Sequence, residues 1–158
     1  MIYNSPLKVL ATKLKGWILN LNQYRNTHFR TLNTVKINYK LAMQSAISKG
    51  PKYSRVACIY TVYPKDKRSF DVGNVCCIHQ KFFEDALVEL GKLPDDNYNY
   101  IPLTIYIFGC IDTLNPRVEV SVVDLEKEGL EKVIEILYNK YRNQKGETNN
   151  EYERTRFM

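Results

Sequence analysis

Four polar residues at spacings of three, seven and four form the pattern in this sequence that is most suggestive of chemistry. They are Asp71, Asn74, Lys81 and Asp85. On a helix this spacing keeps them on one stripe, beside an apolar packing face. Carboxylates near an amide and a lysine suit a hard divalent cation such as Mg²⁺, which takes oxygen ligands and keeps water for a phosphate substrate. The pattern therefore indicates metal-assisted phosphodiester hydrolysis, with the lysine neutralising charge on the phosphate.

A second acidic group, Asp95-Asp96, follows this stretch, and a reversing chain can bring it back towards the stripe. Each of these residues also has an ordinary structural interpretation, and the pattern alone favours neither. Lys81 and Asp85 can form an i, i+4 ion pair worth about 0.3 to 0.5 kcal/mol. Asp71 can cap a helix, and the aspartate pair can make a turn.

The stripe depends on a helix that the sequence predicts between residues 72 and 90. Apolar residues recur there at helical spacing, and Gly91 follows as a natural C-terminal stop. The preceding stretch 55–62 is β-branched and aromatic over the length of a central strand, and we expect it to be buried on both faces. A hydrophilic loop joins the strand to Asp71.

The remaining elements complete one predicted α+β domain with a mixed sheet and packed helices. Further strands are predicted at residues 2–10, 16–21, 100–110 and 117–123, and further helices at residues 33–48 and 126–141. The last two strands are predicted to pair as a β-hairpin. Residues 20–30, rich in asparagine, are predicted to form an ordered loop. We expect one domain over residues 1–142 and a flexible C-terminal tail over residues 143–158.

Charge divides the chain into two unlike halves. Residues 1–70 hold 13 Lys and Arg against one acid, a net charge of +12, whereas residues 71–158 hold 10 bases and 16 acids, a net charge of −6. Five of the six tyrosines in residues 1–70 are interleaved with its basic residues; they are Tyr24, Tyr39, Tyr53, Tyr60 and Tyr63. This combination favours a polyanionic partner, because each neutralised phosphate releases counterions. The alternative is a basic face that is merely solvated.

Length and composition exclude several classes of protein. With 158 residues, 44% of them hydrophobic and 25% charged, the chain can bury a core and is not disordered as a whole. No apolar run approaches about 18 residues, and the N-terminal segment lacks an uninterrupted apolar signal core. We therefore predict a soluble cytoplasmic protein.

Cysteine and histidine usage argues against a zinc site, a Cys-His nucleophile pair or a disulfide framework. His28 and His79 lie far apart in no metal-ligand pattern. Trp17 and His79 are predicted to be structural. The cysteines show no C-x-x-C spacing and are predicted to be buried free thiols; they are Cys58, Cys76, Cys77 and Cys110.

The stretch from Pro64 to Asp96 resembles the RusA-type Holliday-junction resolvases, especially phage-borne members. Their signature is a basic loop, then D-x-D-N-x-x-K-x-x-x-D-A-L, a short turn and D-D. The most specific parts of the match are K-x-x-x-D-A-L at residues 81–87 and D-D at residues 95–96. The run Asn22-Gln23-Tyr24-Arg25 is similar to the family's N-terminal segment, so the resemblance spans roughly residues 17–123.

The resemblance implies a homodimeric endodeoxyribonuclease of recombination and repair, which cleaves four-way DNA junctions symmetrically with Mg²⁺ in a phage-infected or prophage-bearing bacterial cell. By motif position it makes Asp71 and Asp96 metal ligands and Asp85 a supporting carboxylate, and it puts Lys81 and Asn74 at the scissile phosphate. The basic loop implied to contact DNA consists of Lys65, Lys67 and Arg68. Tyr24 and Arg25, an aromatic beside a guanidinium, are further candidates for contact with phosphate or an unpaired base.

The sequence departs from the family pattern at two points, and the first of them favours a catalytically weakened relative. Gly73 stands where the family has its second aspartate, and Lys81 lies four residues further from Asn74, about 6 Å along a helix. A catalytically weakened relative that binds branched DNA or another nucleic acid is the first alternative. A module that binds a host protein through the basic face is the second. Binding through phosphates weakens steeply with salt, whereas a mainly apolar protein interface does not.

Overall fold

The computed structural model describes residues 1–144, which form six strands and four helices. The strands are β1 (Ile2–Pro6), β2 (Lys8–Leu10), β3 (Gly16–Ile18), β4 (Val56–Tyr63), β5 (Leu103–Phe108) and β6 (Arg117–Asp124). The helices are α1 (Leu21–Arg25), α2 (Phe29–Lys49), α3 (Val72–Glu89) and α4 (Gly129–Gln144).

Four of the strands form one mixed sheet in the order β1-β6-β4-β5. β6 is antiparallel to both of its neighbours, and β4 is parallel to β5. The apolar strand β4 is buried on both faces, as its sequence predicts. A separate two-stranded hairpin, β2–β3, packs on α2. The predicted α+β fold with a mixed sheet and packed helices is confirmed.

Helices cover both faces of the sheet. On one face α2 and α3 enclose the main core, which includes Tyr3, Trp17, Tyr60 and Phe83. On the other face α4 packs a smaller cluster against Ile59. Trp17 and His79 are buried, so their predicted structural roles are confirmed.

The predicted helix 72–90 is observed as α3, Val72–Glu89. It ends because Gly91 takes a positive φ of 67°, which suits glycine, and lets Lys92 N donate to Leu87 O at 2.8 Å. This helix packs its apolar side on β4 and leaves a polar stripe on the other side.

The predicted pairing of residues 100–110 with 117–123 as a hairpin is wrong. β5 and β6 lie on opposite sides of β4, with Ile59 placed between Ile105 and Ser121. The reason is that β4 is apolar on both faces and takes the sheet's centre, where both of its edges are paired.

Two predictions near the N-terminus are also corrected. Residues 2–10 do not form one strand, because the chain leaves β6 after Pro6 and continues as β2 in the hairpin. Residues 20–30 are not a loop, since they contain α1 and the start of α2. Asn20 caps α1 by accepting a hydrogen bond from Gln23 N at 2.8 Å. The asparagines that disfavour a helix interior thus help to begin one.

Three further predictions concern the burial of the cysteines, the C-terminal tail and the absence of a membrane-spanning helix. Cys58 and Cys76 are buried free thiols as predicted, but Cys77 is partly buried and Cys110 is exposed. Helix α4 continues to Gln144, and the predicted tail beyond it lies outside the described residues. Among residues 1–144 there is no helix long and apolar enough to cross a membrane.

Candidate nucleic-acid interface

The candidate site begins at the edge of the sheet where β4 and β5 end. Because these strands are parallel, their carboxyl ends at Tyr63 and Phe108 reach the same edge. β1 also ends there, since Pro6 pairs with Arg117 and Arg117 pairs with Tyr63. The loop 64–70 leads from β4 to the start of α3. We call this end of the sheet, with that loop, the site edge.

Asp71 lies at the site edge as the N-cap of α3. Its Oδ1 accepts a hydrogen bond from Gly73 N at 2.8 Å, and its side chain is exposed. A Cβ added at Gly73 would lie 3.2 Å from that same carboxylate oxygen and meet no other atom closely. Asp71 therefore caps α3, which is one of the interpretations that the sequence left open. A side chain at position 73 would make a tight contact with the Asp71 carboxylate, which would have to shift by a few tenths of an ångström.

The stripe predicted from spacing is present on α3. Asn74 and Asp85 are partly buried and Lys81 is exposed, whereas the opposite side of the helix is buried. However, Asp85 lies fourteen residues after Asp71, which is about 21 Å along a helix axis. The stripe residues therefore share a face without converging on one point.

Asp85 and Asp96 form a separate acidic group near the C-terminal end of α3. Asp85 Oδ2 pairs with Lys36 Nζ at 2.7 Å, so the possible ion pair with Lys81 is not the one observed. That contact raises the pKa of Lys36. Desolvation raises the pKa of Asp96, and the neighbouring Asp95 and Asp85 raise it further. The structure thus brings Asp96 close to Asp85 and far from Asp71.

Glu84 is a buried carboxyl in this region that the sequence pattern did not single out. Tyr60 Oη donates to its Oε1 at 3.1 Å, and Gln80 Nε2 donates to its Oε2 at 3.2 Å. Burial raises its pKa to about 7, and the charges of Asp96 and Asp85 add to the effect. The sequence could have indicated this carboxyl, because Glu84 falls on the sheet-facing side of the predicted helix and lies four residues after Gln80.

The residues of one chain do not fit the predicted Mg²⁺ site. Among the side chains of residues 1–144, no three His, Cys, Asp or Glu are grouped so as to hold a metal ion. Asp71 and Asp96, the two predicted ligands, belong to different ends of α3. Asp85 already carries a cationic partner in Lys36.

The basic loop is exposed at the site edge, as the DNA-binding prediction requires. Lys65, Lys67 and Arg68 all face solvent. Arg68 is held by Asp66, since its Nη2 lies 2.8 Å from Asp66 Oδ2, and this contact lowers the pKa of the Asp66 carboxyl. The two lysines are therefore the cations of the loop that best suit a phosphate.

Tyr24 and Arg25, the other predicted DNA contacts, lie on α1 and differ in exposure. The Tyr24 ring packs edge-on against Phe82, with 6.3 Å between ring centroids, and is partly buried. Arg25 is exposed and lies close enough to Cys77 for its charge to lower the pKa of that thiol, although burial raises that pKa overall. Tyr24 thus helps to dock α1 on α3, and Arg25 alone of the two faces solvent.

Comparison with known proteins assigns no family to this chain. No protein-family model and no curated protein matches it. The resemblance to the resolvases therefore stays a prediction.

Proposed function

We propose that this protein binds branched DNA through the basic surface of the site edge. The observation that carries the proposal is the exposure of Lys65 and Lys67 in a loop beside the start of α3. Lys8 is a third exposed lysine, and it begins β2 two residues after β1 ends at the same edge. These cations belong to the half of the chain that carries a net charge of +12. When these lysines neutralise DNA phosphates, the counterions bound to the DNA are released, and this release supplies the binding free energy.

Salt titration of DNA binding tests this proposal. A fluorescently labelled four-way junction and a duplex of equal length are titrated with the protein at several salt concentrations. We expect tight junction binding whose affinity falls steeply with salt, by about one power of ten for each tenfold rise in salt and each phosphate contact. An affinity that barely changes between low and physiological salt would contradict it and favour the protein-binding module.

Cleavage of the junction is the second candidate function, and the exposed stripe on α3 favours it. Asp71, Asn74 and Lys81 all reach solvent on one side of the helix, where a phosphate can approach them. One chain does not bring Asp71 and Asp96 to the same point, because about 20 Å of helix separates them. A metal site that uses both aspartates would therefore have to join Asp71 of one subunit to Asp96 of the partner subunit in a homodimer.

Mixing two inactive variants tests whether the site is shared between subunits. Wild-type protein with Mg²⁺ is expected to nick a four-way junction symmetrically, and Asp71→Asn or Asp96→Asn alone is expected to abolish nicking. A mixture of the two variants, allowed to exchange subunits, has one intact site in each mixed dimer and should nick a single strand. Tight binding by all the proteins with no nicking would leave DNA binding as the function.

A further inference from the structure

Two cavities lie at the site edge, and Phe70 lines both of them. The first has a volume of about 390 Å³ and is bounded by the base of the β2–β3 hairpin and by the loop 64–70. The second has a volume of about 350 Å³ and lies between the same loop and the residues that follow β5. We propose that these cavities bind an unpaired nucleobase of branched DNA against the Phe70 ring, a proposal that rests on the function proposed above.

The walls of both cavities are mainly apolar. Ile18 and Val75 contribute to the first cavity, and Phe108 and Ile111 contribute to the second. Phe70 is 36% exposed, and its ring lies 6.3 Å from that of Phe108 between centroids. An aromatic ring held by a neighbouring ring and still open to solvent can stack on a flat ligand.

The polar groups of the cavities suit a nucleotide. Lys65 lines the first cavity and Lys67 lines the second, so each has one exposed lysine at its rim. Ser69 lines both cavities and offers a hydroxyl to the edge of a base. Asp66 also lines both cavities, but Arg68 occupies both of its carboxylate oxygens. A nucleotide has the matching arrangement, with an apolar flat base, a polar base edge and a phosphate outside.

Charge complementarity selects DNA over an apolar peptide as the occupant. The loop 64–70 that lines both cavities belongs to the basic half of the chain, and it carries the lysines proposed to contact phosphates. In a continuous duplex both faces of each base are covered by stacking, whereas a branch point offers bases that have lost a neighbour. Stacking on an aromatic side chain replaces that neighbour without reading the sequence.

The test uses junctions and flaps that carry the fluorescent base 2-aminopurine at the branch point, together with an unbranched duplex of the same length. Wild-type protein should quench the base on binding, as stacking on Phe70 requires. Phe70→Ala should abolish the quenching and weaken binding of the branched substrates about tenfold, with duplex binding unchanged. Phe70→Tyr should restore both. Phe29→Ala is the matched control, because Phe29 is 67% exposed and lines neither cavity.

The outcomes separate this inference from the proposed function. Branched substrates that bind Phe70→Ala as tightly as wild type, with the same quenching, would overturn the base site and leave DNA binding intact. Equal losses of duplex and junction binding in Phe70→Ala would also overturn it, since they would report a damaged loop. Salt-insensitive binding or no binding by wild type would overturn both proposals.

Discussion

The buried Glu84 carboxyl predicts a pH dependence of stability at the scale of one residue. Burial raises its folded pKa to about 7, above its usual value of 4.5. The folded state therefore holds a proton that the unfolded state releases between these pH values, and stability falls as the pH rises through that range. Above about pH 7 the buried carboxylate is charged in the folded state, and the resulting loss of folding stability is on the order of 3 kcal/mol.

Comparison of wild type with Glu84→Gln in urea unfolding checks this expectation. Between pH 4.5 and 7 the free energy of unfolding should fall for wild type relative to the variant, because glutamine does not ionise. Subtracting the two curves cancels the contribution of His79. Burial lowers the pKa of His79 to about 3. The unfolded state therefore binds a proton that the folded state does not, and His79 lowers the stability as the pH falls below about 6.5. A difference independent of pH would contradict the role assigned to Glu84.

Gly73 offers a second prediction at the residue scale. A side chain there contacts only the Asp71 carboxylate, which is exposed and can shift by a few tenths of an ångström, so Gly73→Asp should fold and add a second carboxylate at the start of α3. We expect the variant to gain a Mg²⁺-dependent rise in melting temperature, about 4 °C at a Mg²⁺ concentration ten times the dissociation constant. Gly73→Asn, which matches the size without the charge, should show no such rise. Equal responses from the two variants would contradict the prediction.

At the scale of elements, the layer between the sheet and α4 contains two buried hydroxyls that have no partner among residues 1–144. Thr61 Oγ1 and Ser121 Oγ lie on the face that α4 covers and have no hydrogen-bond partner within the described part of the chain. Thr61→Val keeps the shape and removes an unsatisfied group, so it should stabilise the protein by about 1 kcal/mol. Thr104→Val, at a partly exposed position of β5, is the control and should bring no gain. Destabilisation by Thr61→Val in denaturant unfolding would show that the hydroxyl is bonded.

At the scale of the whole molecule, we expect DNA to bind at the site edge, although basic residues also lie at the other end of the sheet. Gln substitutions at Lys8, Lys65 and Lys67 remove three charges from the site edge and should lower the salt slope of duplex binding by about 2 to 3. A control removes three exposed charges from the other end of β4, about 25 Å away, at Lys49, Lys52 and Arg55. It should leave the slope nearly unchanged. Equal slopes in the two triple variants would show that net charge, not the site edge, drives binding.

The elements with strong local signals were predictable from the chain alone. α3 has apolar residues at helical spacing and Gly91 at its end, and β4 is apolar at nearly every position, so both appear close to their predicted bounds. The asparagine-rich residues 20–30 were mispredicted, because asparagine disfavours a helix interior but also caps a helix start. Local sequence does not state which of these effects dominates.

By itself, the sequence determined the α+β class, the central strand, the polar stripe on α3 and the basic first half, because each follows from the order of residue types along the chain. Only the tertiary structure decided which strands pair, which partner Asp85 takes and that the chain after α3 brings Asp96 towards Asp85 and not towards Asp71. It also formed the two cavities at Phe70. These features depend on contacts between residues far apart in sequence, and neither composition nor periodicity specifies such contacts.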